Sequence, residues 1–181
     1  MKRGKSLRYF LDTEFNGFGG SLISLGLVHE DGPSLYLVYG VPNLIDTFVR
    51  DRVQPNLLSV PPSVVVRHVS QKDGAYAIEV FLHGDDDPQI IADWPEDLRL
   101  FCQALMLEPD VMVPITRLRF EMHRVTSYPT DLAGAVEHNA WWDAMALKQR
   151  LMRAIPNRNC SCPDRDATTA PMHMRLKESV K

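Results

Sequence analysis

Residues 8–29, RYFLDTEFNGFGGSLISLGLVH, decide how the rest of the chain is read. Residues 8–14 alternate with β-type residues, the glycine-rich NGFGG is a turn signal, and SLISLGLVH is a second apolar run of strand length. After the turn signal EDGPS, residues 35–41 (LYLVYGV) supply a third, so the N-terminal segment predicts an antiparallel meander of three strands. On an extended strand, residues two apart share a face, so Asp12 and Glu14 present their carboxylates side by side while Leu11 and Thr13 point the other way. Like charges held so close repel. A divalent cation between them removes the repulsion, and hard oxygen ligands suit Mg²⁺ or Mn²⁺. The ordinary alternative is a polar strand end facing water.

Outward from this segment, the period changes from two to about 3.6. Apolar positions in 44–53 (LIDTFVRDRV is 44–53) predict a short helix ending before Pro55, and the proline-broken stretch 57–70 reads as loop. Ala75, Ile78, Phe81 and Leu82 recur at helical steps and predict a helix over 71–82, closed by HGDDDP. QIIAD is a brief apolar run of the buried-strand kind, and Pro95 suits the first position of the helix that follows, EDLRLFCQALML. Residues 111–124 fit either strand or helix. A last helix runs from about Ala140 to Ile155, with Ala140, Ala144, Leu147, Leu151 and Ile155 along one stripe and Lys148, Arg150 and Arg153 late in it, where cations suit the dipole. Pro156 stops it. No internal repeat is present. These elements predict one domain over residues 1–156, followed by a polar, proline-punctuated and flexible tail at 157–181.

The 181 residues are 45% apolar, enough for one sizeable core. A net charge of −3 excludes a protein that coats nucleic acid through a wholly basic surface, although it permits contact with a few phosphates. Arg117, Arg119 and Arg124 are candidates for such contacts, and a solvated charged face explains them equally. Three cysteines, Cys102, Cys160 and Cys162, argue against a disulfide scaffold, and Cys102 reads as a small buried thiol within a helix. Cys160, Cys162 and His173 offer too few ligands for a zinc site. The basic start MKRGKSLRYFLD lacks the apolar stretch of a secretion signal, and no run reaches the ~18 apolar residues needed to span a bilayer. The expectation is a soluble, cytoplasmic protein with no membrane partner.

Three further acidic or imidazole-bearing positions join Asp12 and Glu14. Asp97 stands where a strand has ended and a helix begins, so its side chain reaches the mouth of a site at the strand ends. Asp93, Glu96 and Asp97 also qualify as helix-start charges or caps, and Asp93 competes with Asp97 for a ligand role. His138 and Asp143 are five apart, which on a continuous helix sets them ~140° from each other. Both face inward only if His138 lies in the preceding loop, Asn139 caps the helix and Asp143 sits one turn in. Each residue alone has an everyday explanation, a hydrogen-bonded surface histidine or a dipole partner for instance. Their order and element types together point to a shared acidic site.

The fragments FLDTEF, PEDLRLF and HNAWWDA resemble, in that order, the three motifs of the DEDD-type 3′–5′ exonucleases of the ribonuclease H-like superfamily. The third is the most specific: His138, Ala140, Asp143 and Ala144 match H-x-A-x-x-D-A, the pattern of the subgroup with histidine. YFLDTEF, SLISLGLV and FVRDRVQPNL are also similar to small bacterial and phage exoribonuclease domains of this subgroup. In one respect the chain departs from many relatives: Trp94, Pro95 and Glu96 stand before the second-motif aspartate in place of asparagine and an aromatic residue. The choice between Asp97 and Asp93 stays open on that account, with Asp97 favoured.

The resemblance implies an α/β fold, a ribonuclease H-like mixed five-stranded sheet with three antiparallel strands leading and helices on both faces. It implies hydrolysis of single-stranded RNA or DNA from the 3′ end, RNA favoured, to nucleoside 5′-monophosphates. Asp12, Glu14, Asp97 and Asp143 would hold two Mg²⁺ or Mn²⁺ ions ~4 Å apart, one activating water and the other stabilising the departing 3′ oxygen. His138, with an ordinary pKa of about 6.5, would accept the proton from that water. Thr13 and Phe15 would bind the terminal nucleotide, with Phe15 or Trp141 stacking on a base. Relatives are often homodimers. From a different class comes the alternative of a non-catalytic module that binds nucleic acid or protein on the same scaffold.

Overall fold

The computed structural model describes residues 7–43, 45–125 and 131–153. The meander forms as the sequence predicts: β1 (Arg8–Phe15), β2 (Leu22–His29) and β3 (Ser34–Val38) pair antiparallel in order. A bulge between Glu14 and Phe15 breaks the β1–β2 ladder just past the two acids. After it, the chain turns through glycines 17 and 19, whose φ values of 71° and 73° only glycine adopts without strain.

The segment expected as a helix over 44–53 is instead a wide π-type turn, Val49–Val53, followed by a 3-10 turn, Gln54–Asn56. Pro55 lies inside the second turn rather than beyond it, at an early position where its missing N–H costs nothing. The proline-broken stretch 57–70 is not all loop: it contains a short strand, β4 (Val66–His68), paired parallel to β3. Helix α1 (Gln71–Leu82) has the predicted bounds and is capped by Ser70, whose hydroxyl accepts from the Asp73 N–H at 3.2 Å. Next come β5 (Gln89–Ala92) and α2 (Pro95–Ala104), with Pro95 opening the helix. α2 ends three residues sooner than the apolar run suggests, because Met106–Glu108 (β6) pairs with Val111–Met112 (β7) as a small separate ribbon. The ambiguous stretch before 124 resolves as strand β8 (Arg119–Met122), and α3 spans Ala140–Arg153.

Among the described residues, a mixed sheet of six strands runs in the order β4-β3-β2-β1-β5-β8, where five were expected. β4 is the addition, on one edge. β5 pairs parallel to β1, and β8 parallel to β5. Helices cover both faces. Tyr9 and Leu11 of β1, with Leu25, Leu27, Leu35 and Leu37, pack under α1 and α2 through Ala75, Ile78 and Phe101. On the other face, Phe10, Val28 and Ile91 pack under Ala144 and Leu147 of α3, and Ile23, Tyr36 and Val38 pack against Ala140, Trp141 and Trp142. The alternation along β1 therefore serves two cores at once.

Cys102 corrects the sequence reading: it lies on the solvent side of α2, between buried Phe101 and Ala104. No helix among the described residues is long and apolar enough to cross a membrane. Cys160, Cys162, His173 and the tail from 157 lie outside the described residues, as do Ile155 and Pro156.

Candidate active site

The parallel strands β1 and β5 end on the same side of the sheet, and a cleft of about 600 Å³ opens there. Its lining includes Asp12, Thr13, Glu14 and Phe15 from β1, Asp93 and Trp94 from the end of β5, Asp97 from α2, and His138 and Asp143 from the start of α3. Clefts at the carboxyl ends of parallel strands are the usual ligand sites of α/β sheets.

Each acid arrives by a different local device. Asp12 and Glu14 continue the face of β1 that begins with buried Phe10, so the strand delivers them directly beneath α3. Asp97 stands in the first turn of α2 and does not cap its own helix. Its Oδ1 accepts from the Thr13 N–H at 3.1 Å and from the Thr13 hydroxyl at 2.6 Å, which binds α2 to β1 near that strand's C-terminal end. Glu96, also buried, accepts from the Gly19 N–H at 3.1 Å and pairs with Arg99 at 2.7 Å, so it secures the glycine loop.

Asp143 depends on how α3 begins. Asn139 is the N-cap: its Oδ1 accepts from the N–H groups of Trp141 and Trp142 at 3.1 and 3.2 Å. Asp143 Oδ2 accepts from the Asn139 N–H at 3.2 Å, closing the reciprocal half of the cap. His138 precedes the cap with φ 56°, a left-handed conformation that swings its ring off the helix axis and into the cleft wall. The five-residue spacing of His138 and Asp143 is thereby reconciled with a common pocket. The Asn139 amide also donates to the Asn56 carbonyl at 2.8 Å, and the Asn56 amide donates to the Glu137 carbonyl at 2.9 Å. These two bonds fasten the 3-10 turn to the start of α3, beside His138, where the Phe48 ring meets the imidazole edge-to-face at 4.9 Å.

Gly26 allows α3 to come this close. It pairs with Asp12 across the β1–β2 ladder. A Cβ at position 26 would lie 2.6 Å from the Ala140 carbonyl carbon and 2.8 Å from Trp141 Cα, so the first turn of α3 rests on the bare backbone of β2.

The carboxylates form two groups that share Asp12. Asp12, Asp93 and Asp97 make one, and Asp12, Glu14 and Asp143 the other, with ligand oxygens in each group within 4.8 Å of one another. Each group could hold a metal ion. Burial first, and the neighbouring charges second, push Asp12 and Glu14 well above the ordinary carboxylate range. Burial likewise pushes Asp97 and Asp143 up to about 7, against the hydrogen bonds from Thr13 and Asn139, which pull the other way. Asp97 Oδ2 and Asp143 Oδ1 are buried without a hydrogen-bond partner. Orphaned anionic oxygens in a ring of like charge are a donor set that fits a hard cation.

Of the residues expected to contact a nucleotide, Thr13 and Phe15 line the cleft and Trp141 does not. Trp141 is buried on the sheet-facing side of α3, with its indole N–H donating to the Ser34 hydroxyl at 2.8 Å. Arg117 and Arg119 are also elsewhere, both paired with Asp87 at 3.0 Å, and of the three arginines Arg124 alone reaches the cleft. Asp93 and Asp97 both belong to the acidic site, so the choice between them is not exclusive. Phe48, Trp94 and Gly26 were missed by sequence reasoning. Nothing local marks them, except that a glycine in the middle of an apolar strand signals a close backbone approach.

No protein-family model matches this sequence, and no curated protein matches it.

Proposed function

We propose that this chain is a metal-dependent 3′–5′ exonuclease on a ribonuclease H-like scaffold, acting on single-stranded nucleic acid, with RNA favoured, and releasing nucleoside 5′-monophosphates. The observation that carries the reading is the pair of three-carboxylate groups joined through Asp12, with orphaned oxygens on Asp97 and Asp143. The sheet supports it too, since an antiparallel β1-β2-β3 meander continued by parallel β5 and β8 agrees with the expected scaffold.

Asp12, Glu14, Asp97 and Asp143, joined by Asp93, would hold two Mg²⁺ or Mn²⁺ ions. Bound there, the ions would supply a nucleophilic hydroxide near neutral pH and offset charge on the leaving 3′ oxygen. The chain's own residues do the rest. Thr13 orients Asp97 through two hydrogen bonds, and Asn139 orients Asp143 through one. His138 is half-buried, and burial lowers its pKa, against Glu137, which raises it. The shift favours the neutral imidazole, the form able to take a proton from water. Phe15 and Phe48 give the cleft apolar walls suited to a base and sugar, and about 600 Å³ accommodates one nucleotide.

Digestion of 5′-labelled single-stranded RNA and DNA with Mn²⁺, and again with a chelator, tests the proposal. A ladder that shortens from the 3′ end, faster on RNA and absent with chelator, is expected. Internal cuts, or binding without product, would replace the exonuclease by another nuclease or by a binding module.

A further inference from the structure

We propose that Trp94 and Arg124 together form an anchor for a phosphate of the strand on the 5′ side of the bond being cut, so that the site selects oligonucleotides over single-phosphate esters. This rests on the nuclease reading above and adds the length class of its substrate.

The pair is placed by strand register. β5 and β8 are parallel with Ala92 opposite Met122, and the His123 N–H donates to the Ala92 carbonyl at 2.9 Å. The two strands consequently leave the sheet side by side, one as Asp93–Trp94 and the other as His123–Arg124. Asp93 turns into a carboxylate group with Asp12, and the very next side chain, Trp94, lies on the cleft wall. The Arg124 guanidinium sits over the indole, with Cζ 4.3 Å from the ring centroid.

Stability does not explain Trp94. It occupies the N-cap of α2, where a Ser, Thr, Asp or Asn side chain would accept from the first helical N–H groups, and it makes no side-chain cap. The residue is also 44% exposed. What it does is seat a cation. Arg124 is the one lysine or arginine in the cleft lining among the described residues, and apart from His138 the other ionisable side chains there are carboxylates. Arg8, Arg50, Arg99, Arg117 and Arg119 are paired with carboxylates elsewhere. A polyanion that enters an acidic cleft needs positive charge beyond the ions at the scissile phosphate. A guanidinium stacked on an aromatic face keeps its in-plane N–H donors for two-point binding of a phosphate. Seated on Trp94, the residue next to Asp93, the guanidinium is placed for the phosphate next to the one being cut. Arg124 makes the contact; Trp94 is a positioning residue that acts through it.

The test compares two substrates with Mn²⁺: a short single-stranded oligoribonucleotide, and a nucleoside 5′-phosphate p-nitrophenyl ester, which has only the phosphate that is cut. In Arg124→Ala, KM for the oligonucleotide is expected to rise about ten-fold with little change in kcat, the pattern of a lost binding contact. The slope of log KM against log salt should fall by ~0.7, one single-strand phosphate. KM for the ester should change much less. Arg124→Lys keeps the charge without the planar fork and should recover part of the loss. Trp94→Ala should follow Arg124→Ala, and Trp94→Phe should stay near wild type. Equal losses on both substrates, or an unchanged oligonucleotide KM and salt slope, would overturn the anchor. So would a shifted Mn²⁺ midpoint with unchanged oligonucleotide KM, which would tie Arg124 to Asp93 instead. A wild-type protein that cuts neither substrate would remove the nuclease reading and the anchor together; one that cuts both with Arg124→Ala unaffected removes the anchor alone.

Discussion

Phe10 and Asp12 lie two residues apart on one face of β1, beneath the same helix, in opposite surroundings. Phe10 is fully buried with Val28, Ile91, Ala144 and Leu147, an apolar set that packs at no electrostatic cost. One strand step on, Asp12 meets Glu14, Asp97, Asp143 and Asp93, all raising its pKa. One helix spans both: α3 puts Ala144 and Leu147 over Phe10 and Asp143 over Asp12. The difference teaches that the apolar half holds the helix down while the acidic half pushes it away. The acidic half exists because the apolar half, Asn139 and Thr13 over-determine its geometry.

Neutralising the acidic end of this face should have the largest effect. Asp12→Asn is expected to lower hydrolysis by ~10³-fold, the upper range for loss of one electrostatic group that acts in the transition state. The same change relieves repulsion, so the metal-free variant should be more stable than wild type by about 1 kcal/mol or more. Thermal melting in chelator checks this, and a lower Tm would mean that the carboxylates do not strain the fold. At the other end, Leu147→Ala should cost ~2–5 kcal/mol by opening a cavity beside Phe10. Denaturant unfolding measures it, and activity per folded molecule should hold if the two halves are separable.

Gly26→Ala tests the seam between them. Its Cβ meets main-chain atoms of Ala140 and Trp141, which cannot swing aside as a side chain can, and overpacking of this kind costs ~1–3 kcal/mol. Displacement of α3 should also weaken the stabilisation that Mn²⁺ confers, read as a smaller thermal shift; an unchanged shift would uncouple Gly26 from the site. The mildest lever is pH. Carboxylates whose folded pKa exceeds the unfolded value hold protons more tightly when folded, so their burial penalty is absent below about pH 4 and complete once pH passes the folded pKa. For Asp97 and Asp143 the folded value is about 7. On this account the contribution of these groups to metal-free stability falls as pH rises through that window, and the Mn²⁺-dependent gain in Tm grows. A pH-independent Mn²⁺ shift would contradict the ionisation of the site.

The elements that the sequence disclosed are those written in neighbouring residues. The meander follows from alternation and glycine-rich turns, α1 from its apolar stripe, α2 from Pro95, and the start of α3 from Asn139. The elements it concealed depend on distant partners. β4 is three mostly exposed residues that become a strand only by pairing with β3. β8 alternates half-buried and exposed positions, and its register with β5 decides its character. The 3-10 turn at Gln54–Asn56, which follows the π-type turn, is tied to residues 137 and 139 through Asn56, by bonds that span more than eighty positions.

For the candidate site, the sequence by itself determined the chemistry on offer: four favoured carboxylates, a competitor in Asp93, and an imidazole set just ahead of a helix cap. Side-chain charge and the strand and helix periods are local properties, legible one residue at a time. The tertiary structure decided that both Asp93 and Asp97 face Asp12, that Trp141 turns into the core, and that Arg124 rather than Arg117 or Arg119 reaches the cleft. Those outcomes turn on contacts such as Thr13 to Asp97, 84 residues apart, whose free energy arises only when the whole sheet and its helices have assembled.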